Sequence, residues 1–192
     1  MKLYGLFIVL LTSSSVFAKT KLIENDKPYN INVEQLQNIF NKIIEDPEVQ
    51  IDDQLFHGGQ TWKSTWKFSV RGHGRKCRLK NLKMQLAIRY PLPTLDKPLA
   101  NPSEQKAWEQ YQDALKKHQL GHKKIALEIT ETVQTELKAI RGFRSCDELE
   151  KLTWEHGSEA FKNYQIKHEE YDTKTRFGVT QGADLKRYLN PH

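Results

Sequence analysis

Hydrophobic and polar positions follow two clear periods along this chain. Between Ser103 and Arg141 the apolar or weakly polar positions are Trp108, Tyr111, Leu115, His118, His122, Ile125, Ile129, Val133, Leu137 and Ile140, at steps of three or four. That is the period of one face of an α-helix. No proline interrupts the stretch, and Gly121 is its only glycine. Pro102-Ser103 stand at its start and Gly142 follows its end, where a left-handed cap belongs. The pattern predicts one long helix over 103–141.

The second period is two. From Thr61 to Val70, Trp62, Ser64, Trp66, Phe68 and Val70 fall on one face, and Thr61, Lys63, Thr65, Lys67 and Ser69 on the other. This predicts a half-buried strand. Arg71-Gly72-His73-Gly74 reads as a turn, and Arg75 to Tyr90 as a returning strand whose later half places Leu82, Met84, Leu86, Ile88 and Tyr90 together. The two runs predict an antiparallel hairpin.

Weaker signals fill the rest. Lys19 to Tyr29 is polar and reads as an entry strand or arm. Val33 to Ile44 reads as a short helix capped by Asn32, with Val33, Leu36, Ile39, Phe40 and Ile43 on one face and Asp46-Pro47 at its end. Pro91, Pro93, Pro98 and Asn101-Pro102 form a stiff connector. Ser145 with Glu148 fits a capping box that opens a further helix reaching His168, with Leu149, Leu152, His156 and Ala160 inward. Tyr171 to Gly182 reads as a loop, and Leu185 and Tyr188 as a closing amphipathic turn. The order implies an α+β domain in which a small antiparallel sheet packs on the long helix.

The N-terminus changes the picture of where this domain acts. Lys2, the apolar run Leu3 to Leu11, and small residues at the third-last and last positions, Val16 and Ala18, describe a secretory signal peptide over 1–18. An uncleaved anchor is the alternative, although the run is short for a bilayer span. Residues 19–192 then form a single exported domain, periplasmic or secreted, with no further anchor. An even count of two cysteines, Cys77 and Cys146, favours one disulfide in an oxidising compartment; two buried thiols are the alternative. Hydrophobic content of 38% and charged content of 28% exclude a disordered chain.

Charge and histidine carry the chemistry. The net charge is +6, and Arg71, Arg75, Lys76, Arg78 and Lys80 cluster at the hairpin turn. That cluster suits either a solvated edge or an adaptor on anionic envelope polymers; nucleic acid is not the expected partner. Trp62 and Trp66 share a face and read first as core. His118-Gln119-Leu120-Gly121-His122 puts two imidazoles one helical turn apart, the spacing of a zinc-ligand pair. The other reading is a pair of core histidines with polar partners. A zinc site needs a third ligand, for which His156 and Asp172 are candidates and His168 is less well placed.

The chain resembles a bacterial family of secreted proteins with a domain of unassigned function, predicted to be zinc-dependent proteases. The resemblance rests on Phe56, Gly59, Thr61, Trp62 and Trp66, then Cys77 and Pro91-Leu92-Pro93. It continues through Trp108, Tyr111, His118-Gln119-Leu120-Gly121-His122, Cys146, and Tyr171-Asp172-Thr173-Lys174-Thr175-Arg176-Phe177-Gly178. It implies a zincin-like fold, with His-Glu-x-x-His on the long helix and a later loop of pattern Tyr-Asp-x-x-Thr-x-His-Gly. On that pattern Gln119 replaces the catalytic Glu, Phe177 replaces the loop histidine, and Tyr171 and Asp172 remain as catalytic positions. The resemblance thus implies a zincin-like scaffold with a degenerate site, which binds a peptide or protein of the cell envelope. The alternative is a working peptidase with Glu128 or Glu131 as substitute base.

Overall fold

The computed structural model describes residues 20–26, 28–45, 50–51, 54–55 and 61–189. The expected signal peptide, Phe56 and Gly59 lie outside the described residues, as do the side chains of Phe40 and Ile43.

The long helix, α2, runs Pro102–Ala139. Its start is chemical: Asn101 is the N-cap, its side chain accepting from the Ser103 N–H at 3.0 Å, and Pro102 occupies the first turn, where no N–H is needed. Its end is conformational: Ile140 leaves the helix and Gly142 takes φ +84°. At 1.5 Å per residue, its 38 residues span about 57 Å, too long for one core to cover.

Two large apolar clusters share it, with a smaller third one at Ala126 between them. Toward its N-terminus, Trp108, Tyr111, Ala114 and Leu115 pack with Tyr29, Ile31, Leu36, Ile39 and Leu185. Toward its C-terminus, Ile129, Val133 and Leu137 pack with Leu82, Met84, Phe143 and Leu149. His118, Gln119 and His122 are buried where one cluster gives way to the other.

The first cluster is closed by β2 (Tyr29–Ile31) paired parallel with β7 (Pro93–Leu95), by α1 (Leu36–Glu45), and by α5 (Leu185–Leu189). The Glu104 carboxylate of α2 accepts from the Leu36 N–H at 2.8 Å and so supplies a cap for α1. The start expected at Val33, with Asn32 as cap, is therefore displaced three residues along the chain.

The second cluster is covered by a sheet of order β1-β6-β5, with β1 Lys21–Asp26, β5 Thr61–Arg71 and β6 Arg78–Tyr90. The β5–β6 hairpin is antiparallel as expected, with a register shift between Lys67 and Ser69 where Asn81 adopts φ +55°. The sheet as a whole is mixed rather than antiparallel, because β1 joins the other edge of β6 in parallel, Lys21 opposite Gln85 through Asp26 opposite Tyr90. Polar composition at 21–26 hid this strand's partner from pattern reading. Gln50–Ile51 (β3) and Gln54–Leu55 (β4) form a separate two-stranded ladder.

The expected helix from Ser145 divides in two: α3 (Cys146–Tyr164) and α4 (Ile166–Thr175), meeting at Gln165. Ser145 and Glu148 form the expected capping box, with Ser145 Oγ accepting from Glu148 N at 3.1 Å and Glu148 accepting from Arg144 N. The Cys77–Cys146 disulfide, with Cα atoms 5.4 Å apart, ties α3 to the base of the hairpin turn. The face α3 turns inward is Leu149, Thr153 and Gly157. A Cβ at Gly157 would lie 2.9 Å from the Trp66 indole, so the absence of a side chain there lets the helix sit down on β5.

Candidate metal centre

Helix α4 decides the site, and it occupies sequence expected to be a loop. Tyr171 to Thr175 is helical, with Gly178 the first glycine after Gly157. His168, Tyr171, Asp172 and Thr175 therefore lie on one face at i, i+3, i+4 and i+7. That face meets the middle of α2.

Two imidazoles and one carboxylate converge there. His118 Nε2 and His122 Nε2 are 3.3 Å apart. Asp172 Oδ1 lies 3.2 Å from the first and 2.9 Å from the second. Both histidines are buried, and Asp172 is the more accessible member. Tetrahedral zinc with bonds of 2.0–2.1 Å separates its ligand atoms by about 3.3 Å, so the triangle is close to the size such an ion requires.

Polar groups stand behind both histidines. His118 Nδ1 is 3.0 Å from Gln181 Oε1. The Gln181 amide is oriented by its other end, since Nε2 donates to the Tyr171 hydroxyl at 3.0 Å and that hydroxyl donates to the His118 carbonyl at 3.2 Å. His118 Nδ1 must then donate. His122 Nδ1 is 3.0 Å from His168 Nδ1, so one of the two donates to the other. Burial first, and the neighbouring His122 second, hold the His168 pKa down at about 4, so His168 is a neutral ring that either donates or accepts at Nδ1. In the tautomer with both Nδ1 atoms protonated, His118 and His122 each aim an Nε2 lone pair toward Asp172 Oδ1.

Three acceptors within 3.3 Å of one another repel unless a cation lies among them. Without a metal, an Nε2 proton held between ring and carboxylate fills that role. Burial alone would raise the Asp172 carboxyl, but hydrogen bonds from His118 and His122, and their charge, outweigh it and bring the pKa down to about 2. The same three atoms, with Nε2 unprotonated, could hold a metal ion.

Packing holds the triad in place. The Tyr171 ring stacks on His118, with centroids 5.1 Å apart, and meets the His122 ring edge-on at 4.9 Å. Gly121 makes this possible, because a Cβ there would overlap the Tyr171 phenol. Thr175 Oγ1 sits 3.5 Å from His118 Nδ1 and accepts from the Gly178 N–H. Arg176, Phe177 and Gly178 take left-handed φ in succession, at +51°, +54° and +86°. This curls the chain back so that Gly178 abuts the His118 ring and Gln181 reaches its Nδ1.

A model described as a bacterial protein of unknown function, DUF922, matches residues 27–178. The chain belongs to this family. No curated protein and no solved structure matches the chain.

In this DUF922 chain the candidates divide cleanly. Asp172 joins the histidine pair. His156 does not, because α3 turns Leu149, Thr153 and Gly157 inward and leaves His156 exposed. His168 is buried against His122, yet it touches the ring nitrogen facing away from the triad. Phe177 is 52% exposed and no part of the triad. Gln119 is buried beside the pair in sequence. Glu128 and Glu131 point to solvent, Glu128 toward Lys124, which removes both as substitute bases. Trp62 also belongs to the surroundings of the site: its indole stacks on His168 at 5.3 Å.

Proposed function

We propose that this protein binds a zinc ion through His118, His122 and Asp172 and uses the open coordination position to hold a ligand rather than to hydrolyse one. The observation that carries the reading is the convergence of His118 Nε2, His122 Nε2 and Asp172 Oδ1 to within 3.3 Å of one another. A three-ligand site with a vacant fourth position is the arrangement of exchangeable, substrate-binding zinc, whereas structural zinc takes four protein ligands. When bound, the ion would supply Lewis acidity toward a carbonyl or water oxygen at that position.

Gln119 sets the limit on catalysis. In a His-Glu-x-x-His peptidase the residue after the first histidine takes a proton from water. A carboxamide cannot take it. No other carboxylate among the described residues bonds to His118, His122 or Asp172. A positioned base is typically worth about 10²–10⁴ in rate. The reading is thus of a zinc-protease-like scaffold, of zincin descent, retained as a receptor for a peptide or protein group of the cell envelope. The expected signal peptide supports an exported location, and so does the Cys77–Cys146 disulfide. No helix among the described residues is long and apolar enough to cross a membrane.

A calorimetric zinc titration of residues 19–192 tests the reading, alongside an assay on an unfolded protein substrate. Saturable binding lost in Asp172→Asn, with no turnover, is the expected result. Chelator-sensitive turnover by the unaltered chain would replace the receptor with a working peptidase. Absence of zinc binding would remove both.

A further inference from the structure

A cleft opens behind His118, on the side away from the triad. It has a volume of about 1350 Å³ and lies between the first turn of α1, the start of α2 from Ser103 to Gln110, and the chain from Thr180 to Leu189. Pockets for small ligands hold about 300–1,000 Å³, so this cleft has room for a peptide segment. Gln181 belongs both to the cleft and to the surroundings of the metal centre: it lines the cleft, and its Oε1 lies 3.0 Å from His118 Nδ1. Its Nε2 donates one hydrogen to the Tyr171 hydroxyl at 3.0 Å. A carboxamide carries two N–H groups, which leaves the second for a carbonyl in the cleft.

Each wall presents a carboxamide: Gln37 from α1, Gln110 from α2, and Gln181 from the turn at Val179–Gln181. Such a group offers a donor and an acceptor side by side, the pair that a peptide group also presents. The cations are Lys106 on α2, one helical turn before Gln110 on the same face, and Lys186 and Arg187 on α5. Lys106 and Arg187 form no ion pair among the described residues. The acid of the lining, Glu104, is already engaged, since its carboxylate accepts from the Leu36 N–H at 2.8 Å. The cleft therefore favours an anionic ligand. Carboxamides on three sides suit a peptide better than a phosphate, which accepts hydrogen bonds and leaves the amide oxygens without a donor.

We infer that this cleft binds an acidic peptide segment, its backbone paired with the carboxamides and its carboxylates held by Lys106 and Arg187. Such a peptide is the ligand class of the zinc receptor proposed above, and its coupling to the metal rests on that reading. A peptide carbonyl that accepts the second Gln181 N–H fixes the amide that meets His118 Nδ1. A filled cleft then favours the imidazole tautomer that ligates through Nε2. Zinc and peptide strengthen each other's binding, by the same factor in both directions.

The probe is a fluorescent peptide of alternating glutamate and alanine, titrated into residues 19–192 with chelator present and again at saturating zinc. Versions with glutamine or lysine in place of glutamate serve as comparisons, and inorganic phosphate as a competitor. The acidic peptide should bind the metal-free chain. Its affinity should fall about tenfold in Lys106→Glu and in Arg187→Glu, both at exposed positions where the fold is retained. Zinc should tighten peptide binding by about fivefold or more, and that gain should vanish in Gln181→Ala. Binding by the metal-free chain supports the cleft whether or not zinc is taken up, so failure of the cleft and failure of the zinc reading are told apart. The inference is overturned if the acidic peptide does not bind, if the glutamine or lysine version binds as well, or if both charge-reversal variants keep full affinity. Displacement by phosphate at an ionic strength where sodium chloride does not displace the peptide overturns it in favour of a phosphate site. A zinc gain that is absent, or that survives Gln181→Ala, overturns the coupling.

Discussion

His118 and His122 face each other nitrogen to nitrogen, their Nε2 atoms 3.3 Å apart, while their Nδ1 atoms are bound from behind by Gln181 and His168. The expectations below come from that relationship and from the packing that enforces it.

The groups behind the ligands should matter for the metal without touching it. Gln181→Ala and His168→Phe each free one imidazole to change tautomer. Each should weaken zinc binding by about 10–100-fold with the fold retained. Competition with a chromophoric zinc chelator measures this. Unchanged affinity in both variants would mean that the tautomers are not set by these partners.

Gly121 should be intolerant of a side chain. Gly121→Ala pushes the Tyr171 phenol off the α2 surface, and Asp172 is the next residue on the same helix. A loss of about 1–3 kcal/mol in stability is expected, as for overpacking, together with weaker zinc binding. Denaturant unfolding of the metal-free protein separates the two effects.

Acid should destabilise the metal-free protein in two steps. His168, held at about 4 against an ordinary 6.5, binds fewer protons folded than unfolded between those values. Stability therefore falls as pH drops through that window. Asp172, at about 2 against 3.8, has the same sign, so its contribution is complete above 3.8 and is lost as pH falls toward 2. Melting temperature followed from pH 7 downward should decline through both windows. His168→Phe should flatten the upper one and leave the lower.

Catalysis should be recoverable at one position. Gln119→Glu restores a proton acceptor beside the pair and should raise peptide hydrolysis by about 10²–10⁴ over the unaltered chain when zinc is present. Cleavage of an unfolded substrate, blocked by chelator, reads this out. An inactive Gln119→Glu that still binds zinc would mean that position 119 does not face the open coordination site.

The disulfide should stabilise the C-terminal half of α2 and the hairpin that covers it. Its cysteines are 69 residues apart, so replacing both with alanine should lower stability by up to about 4 kcal/mol in the chain-entropy account.

Much of the scaffold was legible because its periods are strong. The stripe from Trp108 to Ile140 specified α2 almost to its ends, and the alternation from Thr61 to Val70 specified β5 and its inward face. The histidine pair was legible from spacing alone. The third member of the cluster was narrowed to two residues, and the choice between them turned on α3. Reading Leu149, Leu152, His156 and Ala160 as its inward face missed the buried Thr153 and Gly157, the latter bare enough to admit Trp66. The larger miss was α4. Two glycines and polar composition made Tyr171 to Gly182 look like a loop, yet both glycines fall after Thr175. The spacing of His168, Tyr171, Asp172 and Thr175 was the available signal for one helical face carrying polar chemistry. Gln181 left no such signal, because its role depends on three left-handed residues that bend the chain back to His118. The parallel pairing of β1 was equally hidden, since partner choice depends on which edge of β6 stays open.

Zinc content of residues 19–192, prepared without a histidine tag and compared with the His118→Ala/His122→Ala and Asp172→Asn variants, tests the central claim most directly. The structure predicts about one zinc per chain in the unaltered protein and loss in both variants with folding preserved. A metal-free protein that takes up no zinc on addition, with all three forms equally folded, would contradict it and return the two histidines to the core.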